Sequence, residues 1–191
     1  ITEYETFLTT YAKSRDMDSA HFLRATLLLQ SDRYEDAIKG FTAAYTIASK
    51  MQGGSPFTWD SYMWIGKTYF IQANTFFEVK GGKDPAPEAI QQALLLFDKA
   101  QPVLQETYKS SGDVAMMNDA VFFIGNMQLT RSQHVTAPDE EQQVQRRAAL
   151  LNAALDAFRA VRSVEEVVQA QDAKIKAYEG AIQLLKPGTP E

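Results

Sequence analysis

The chain has 191 residues, 45% hydrophobic and 23% charged, the proportions of an ordinary soluble globular protein with room for one well-buried domain or one array of repeats. Its 19 basic and 24 acidic residues give a net charge of −5 with no long run of either sign, so there is no basic stripe for nucleic acid, and no apolar run approaches the length needed for direct membrane insertion. Cysteine is absent, which excludes disulfides, thiolate nucleophiles and Cys-ligated metals.

Helical periodicity runs through nearly every long segment, and no stretch alternates as a strand does. Tyr4, Phe7, Leu8 and Tyr11 predict a first helix over about 3–15, and Phe22, Ala25, Leu28 and Leu29 a second over 18–30. Ser31-Asp32 breaks the pattern and supplies an N-cap for a third helix reaching about Lys50, with Glu35 within capping reach. Gly53-Gly54-Ser55-Pro56 is a loop. A fourth helix over 58–80 carries a wide apolar face from Tyr62 to Phe77, and Gly81-Gly82-Lys83-Asp84-Pro85 ends it. A fifth spans 87–109, with a kink or an end expected at Pro102.

Asp113 is placed to cap a sixth helix over 114–134, and a loop at 135–139 leads to a seventh over 139–162. Ser163 and Glu166 form a capping-box start for an eighth helix, 164–186, closed by Pro187-Gly188 and followed by a disordered tail, 188–191. The fold class expected is all-α, a single domain over 1–187. The chain begins at Ile1 rather than Met, which fits removal of an upstream leader and an exported, periplasmic bacterial location.

One pattern recurs. Ala37, Phe41 and Ala44 are spaced four and three apart, as are Ala93, Phe97 and Ala100, and Ala154, Phe158 and Val161. These offsets put small, large and small side chains on one helical face, so that a neighbouring helix approaches around one aromatic knob. In the segment Tyr34 to Ala44 an aromatic precedes the triplet, and Ala25, Gly66 and Gly125 stand at a small-residue position in the preceding helices. With those residues in place, the chain resembles the tetratricopeptide repeat family over about residues 18–162, in repeats of about 18–50, 58–109 and 114–162. The spacing from Ala25 to Ala37 is 12 residues, whereas Gly66 to Ala93 takes 27 and Gly125 to Ala154 takes 29. The second and third hairpins are therefore read as elongated by about two turns per helix. Helix 3–15 reads as the second helix of a truncated preceding repeat, and helix 164–186 as a terminal cap.

The resemblance implies a right-handed superhelix whose first helices line a concave groove, and a protein–protein interaction module serving as an adaptor or assembly factor. Aligned on Ala25, Gly66 and Gly125, the groove positions are Phe22, Met63 and Phe122, then Thr26, Lys67 and Asn126, then Leu29, Phe70 and Leu129. Two apolar rows flank a polar one, which suits a helix or an extended peptide. The same side chains also suit packing against helix 3–15, helix 164–186 or a second subunit. The carboxylate clamp of chaperone-binding family members is missing, since Phe22, Thr26, Trp64, Asp119 and Phe123 occupy its places.

Catalysis finds no support. His21 and His134 lie outside any metal-ligand spacing, Gly81-Gly82-Lys83 lacks the P-loop pattern, and no nucleophile–base pair can be nominated. The expectation is no enzyme, no metal and no cofactor. Arg131 to Arg147, a polar hairpin end, is a second candidate contact. The other functional classes are self-association as a homo-oligomer, and binding of an apolar small molecule among Phe70, Phe76, Phe77 and Phe97.

Overall fold

The computed structural model describes residues 2–11, 14, 16–78 and 84–161, and these are all-α, without a strand among them. The helices are α1 (Thr2–Thr10), α2 (Met17–Gln30), α3 (Tyr34–Ala48), α4 (Phe57–Thr75), α5 (Pro87–Ser110), α6 (Val114–Gln133) and α7 (Glu140–Arg159). The expected helix 164–186, its capping box and the tail lie outside the described residues, as does most of the 81–85 turn. The chain forms two compact units, Ile1–Thr107 and Tyr108–Glu191, with the division near the end of α5.

Local chemistry explains most boundaries. Asp113 and Asp139 are extended N-caps whose carboxylates accept from Met116 N at 2.9 Å and Gln142 N at 2.8 Å. Neither Ser31 nor Asp32 caps α3. Asp32 instead takes the left-handed conformation, φ 56°, that closes α2, and Arg33 N then reaches back to Leu28 O. Its carboxylate accepts from the Tyr34 hydroxyl at 2.8 Å. Nor does Pro102 end α5, which continues to Ser110. The ring is exposed and so is Asp98, one turn earlier, so the carbonyl that loses its backbone donor faces solvent.

In the first unit α2 packs on α3, α3 on α4, and α2 also touches α4. The core is Ala25, Leu28, Ala37, Phe41 and Ile65, with Phe22, Leu29, Tyr62, Trp64 and Val103 pressed onto it. A second link joins the starts of α2 and α4. Buried Asp18 accepts from the Ser55 hydroxyl at 2.5 Å and from Ser19 N at 2.8 Å, and the Ser55 oxygen accepts from Phe57 N at 3.1 Å. Farther along α4, Phe97 of α5 is stacked against Phe70 and Phe77. In the second unit α6 packs on α7 around Leu129, Leu151, Ala154 and Phe158.

Each hairpin closes at a small residue. A Cβ on Gly40 would lie 2.8 Å from the Ala25 Cβ, one on Gly66 would lie 2.9 Å from Leu104 Cγ, and one on Gly125 would clash with the edge of the Phe158 ring, 2.7 Å from Cδ1 and closer to Cε1. These contacts also set the register. The third triplet stands where expected, with Phe158 opposite Gly125. In the second hairpin Gly66 faces Val103 and Leu104, so Ala100, Leu104 and Thr107 repeat the four-and-three spacing at the place Ala37, Phe41 and Ala44 hold in the first. The triplet Ala93, Phe97 and Ala100 lies seven residues earlier on the same face, and both sets are buried. Seven residues are nearly two helical turns, which is why the two sets look alike in sequence.

Gly125→Ala is expected to destabilise by about 1–3 kcal/mol through overpacking against Phe158, although the same change on an open helix face stabilises by about 1 kcal/mol. Urea unfolding followed by circular dichroism measures it. Ser61 of α4 is fully buried and its hydroxyl has no hydrogen-bond partner. Removing that oxygen in Ser61→Ala is expected to raise stability by about 1 kcal/mol in the same assay.

Candidate functional site

The residues proposed to line a groove sit on α2 and α4 in the first unit and on α6 in the second, and each unit has its own geometry. On α2, the half-buried Phe22 ring lies 5.4 Å from Phe41 and 5.2 Å from Phe57, so one face is committed to the core. Thr26 donates to the Phe22 carbonyl at 3.0 Å, and Leu29 is half-buried against the same core. On α4, Met63 is 5% exposed, which makes it a core residue in this structure. Lys67 lies with its Nζ 4.4 Å from the centre of the Trp64 ring, and Trp64 in turn is stacked on Phe41. Phe70 is half-buried and its ring centre is 5.7 Å from that of Phe97.

The second unit repeats the arrangement on α6. Phe122 lies 5.4 Å from Phe158, Asn126 donates to the Phe122 carbonyl at 2.7 Å, and Leu129 is 8% exposed. Thr26 and Asn126 thus use part of their polar capacity on their own helices, while their half-buried side chains keep an edge outward. What the first-helix faces expose is a set of half-buried aromatic edges beside Thr26 and Lys67 in one unit and Asn126 in the other. Met63 and Leu129 offer much less, because their apolar area is already covered.

The space between the long helices α4 and α5, considered for an apolar ligand, holds the stacked rings of Phe70, Phe77 and Phe97, with Phe97 fully buried. The end of the α6–α7 hairpin is tied by polar contacts. Gln143 donates to Val135 O and Arg146 to Thr136 O, each at 3.3 Å. Among the described residues no three metal-ligating side chains converge, and no helix is long and apolar enough to cross a membrane.

Several surface depressions are lined by described residues. One, of about 480 Å³, lies along α3 from Ile38 to Ile47. Another, of about 300 Å³, lies where Ile38 and Lys39 of α3 meet Tyr69 of α4 and Leu96 and Lys99 of α5. A third, of about 400 Å³, opens between α1 and α2. Of its walls, Tyr4 and Phe7 only mark the period of the first helix in the sequence, and Ala20 and Leu23 carry no signal of a cavity there.

Against known proteins, the chain matches no family model, no curated protein and no solved structure. Its functional reading therefore rests on its own geometry.

His21, beside Phe22 on α2, has its imidazole pKa held below the ordinary histidine value, first by burial and then by the Arg24 charge. The folded state then binds fewer protons than the unfolded state, so the stabilisation is complete above the ordinary histidine pKa of about 6.5 and is lost as pH falls through the lower folded value. Urea midpoints are expected to drop as pH falls below about 6.5, and His21→Gln should flatten that drop.

Proposed function

We propose that the chain is a tetratricopeptide-like array of helical hairpins that acts as a protein–protein interaction module, an adaptor or assembly factor without catalytic activity. The partner element in this reading is a helix or an extended peptide laid across the first helices. The observation that carries the proposal is the single packing device used three times, Ala25 against Gly40, Gly66 against Leu104, and Gly125 against Phe158. Hairpins built alike and packed in succession form extended surfaces rather than an enclosed site.

The chemistry of the first-helix faces supports the same reading. Phe22 and Phe70 are anchored on one side by Phe41 and Phe97 and half-exposed on the other. Such rings are pre-ordered, so a partner gains contact area without the cost of freezing them. Thr26, Lys67 and Asn126 stand between the apolar rows, where a partner's backbone or carboxylate needs polar company.

Photo-crosslinking in a native-host lysate tests the proposal. A photoreactive residue at position 26 or 67 is expected to give adducts with the same protein, and one at 42 or 46 on the outer face of α3 is not. Thr26→Arg should lower capture of that protein by about tenfold or more, roughly the loss from blocking one central contact, with an unchanged thermal melt. Adducts confined to 42 and 46, or absent from 26 and 67, overturn the first-helix assignment.

A further inference from the structure

The outer face of α3 is uncharged at its centre and charged at its ends. From Gly40 to Ser49 there is no charged side chain, yet Thr42 and Thr46 are exposed and Ala43 and Ile47 are only half-buried. Both threonine hydroxyls donate within the helix, to Ile38 O and Thr42 O at 2.8 Å each. The face can therefore lose its water without stranding a donor. The 480 Å³ depression runs along it, with Lys39 as the charged member of its lining.

Charge returns with opposite signs. Glu35 stands on the first turn of α3 and Lys50 just past its last. At about 3.6 residues per turn both fall on the same side as Thr42, Ala43 and Thr46. Both are exposed, and among the described residues neither is in an ion pair. The neighbouring charges are satisfied within the chain, with Asp36 2.6 Å from Arg33 and 3.6 Å from Lys39.

We propose that this face of α3 pairs with the same face of a second copy of the chain, in an antiparallel two-fold contact. Where two α3 helices cross between Thr42 and Ala43, Glu35 and Lys50 lie equally far on either side, about 11 Å along the axis. Each Glu35 then meets Lys50 of the other copy, and the symmetry makes two opposite-charge pairs around an uncharged centre. A parallel pair is disfavoured, because it sets Glu35 against Glu35 and Lys50 against Lys50. The small side chains of Thr42, Ala43 and Thr46 allow a close, shallow crossing of about 20°, which keeps both ends within reach. One 15-residue helix from each copy covers less than the roughly 800 Å² per partner of a standard interface, so association at about 10–100 μM is expected. This surface is separate from the first-helix faces and does not depend on the function proposed for them.

Sedimentation equilibrium from about 1 to 300 μM protein tests this, at about 0.05 M salt so that exposed charges are little screened. The wild type should pass from monomer to dimer over that range. Thr42→Glu, at an exposed position, brings two carboxylates together at the crossing. It should raise the dissociation constant by about tenfold or more, with the thermal melt of the dilute protein unchanged. Glu35→Lys and Lys50→Glu should each weaken association when alone, because each sets like charges opposite one another at both ends. An equimolar mixture of the two should associate again, since every facing pair is then opposite in charge. Positions 35 and 50 of one chain are about 22 Å apart along α3, so neither an intrachain contact nor a merely destabilised protein produces that recovery.

A wild type that stays monomeric throughout overturns the proposal. So does a dimer that survives Thr42→Glu, or a mixture of the two charge variants that fails to associate. If Thr26→Arg abolishes the dimer while Thr42→Glu does not, the contact lies on the first-helix face and this inference fails by itself. The crosslinks at 26 and 67 judge the first-helix reading separately.

Discussion

How closely two helices of a hairpin can approach governs the rest of this structure. Ala25, Gly66 and Gly125 each stand where a partner helix comes within van der Waals contact of the backbone, and at Gly66 and Gly125 the partner brings Leu104 and the Phe158 ring into the space a side chain would need. Packing density follows from that closeness. With the backbones together, Phe41, Leu104 and Phe158 are fully buried, and each fills the interval left by small neighbours. A glycine inside a helix costs about 1 kcal/mol relative to alanine, and it is retained where dispersion and burial across the contact outweigh that cost.

Successive hairpins need a second kind of contact, and in the first unit it is partly polar. The buried Asp18 carboxylate, fixed by Ser55 and by the Ser19 amide, joins the start of α2 to the start of α4. The Ser55 oxygen is held in turn by Phe57 N, so the loop after Gly53-Gly54 is tied to the first turn of α4. A satisfied buried carboxylate specifies one arrangement, because slippage would strand the charge among apolar groups. Phe57 is thereby set against Phe22, and Trp64 against Phe41. The half-exposed aromatic edges of these helices are thus by-products of hairpin stacking.

The side chains that face outward from the first helices also hold those helices to the second ones, so their apolar area is divided between core and surface. Phe22, Phe70 and Phe122 have one side on Phe41, Phe97 and Phe158 respectively. At Met63 and Leu129 nearly all the area has gone to the core. On α2, Leu23 is exposed at a place that α4 fills with Trp64 stacked on Phe41.

The sequence by itself determined the all-α class, the order of α1 to α7, the aspartate cap of α6, and the small residues at which hairpins close. Each of these is local, set by a period of 3.6 residues, by one side chain reaching a nearby amide, or by the absence of a Cβ. Tertiary structure alone decided what stands opposite each position. Ala93, Phe97 and Ala100 read as the partner of Gly66, but a face that repeats after seven residues fits equally well two turns away, and Leu104 takes that place. Asp32 has the composition of an N-cap, yet the path from α2 to α3 turns it into the left-handed closing residue of α2. Met63, Phe22 and Leu23 look alike as apolar residues on first helices, and their exposures differ because a neighbouring helix covers one, half-covers the next and leaves the third open. Sequence periodicity fixes the angle of a side chain about its own axis, and only the placement of the other helices says whether anything meets it there.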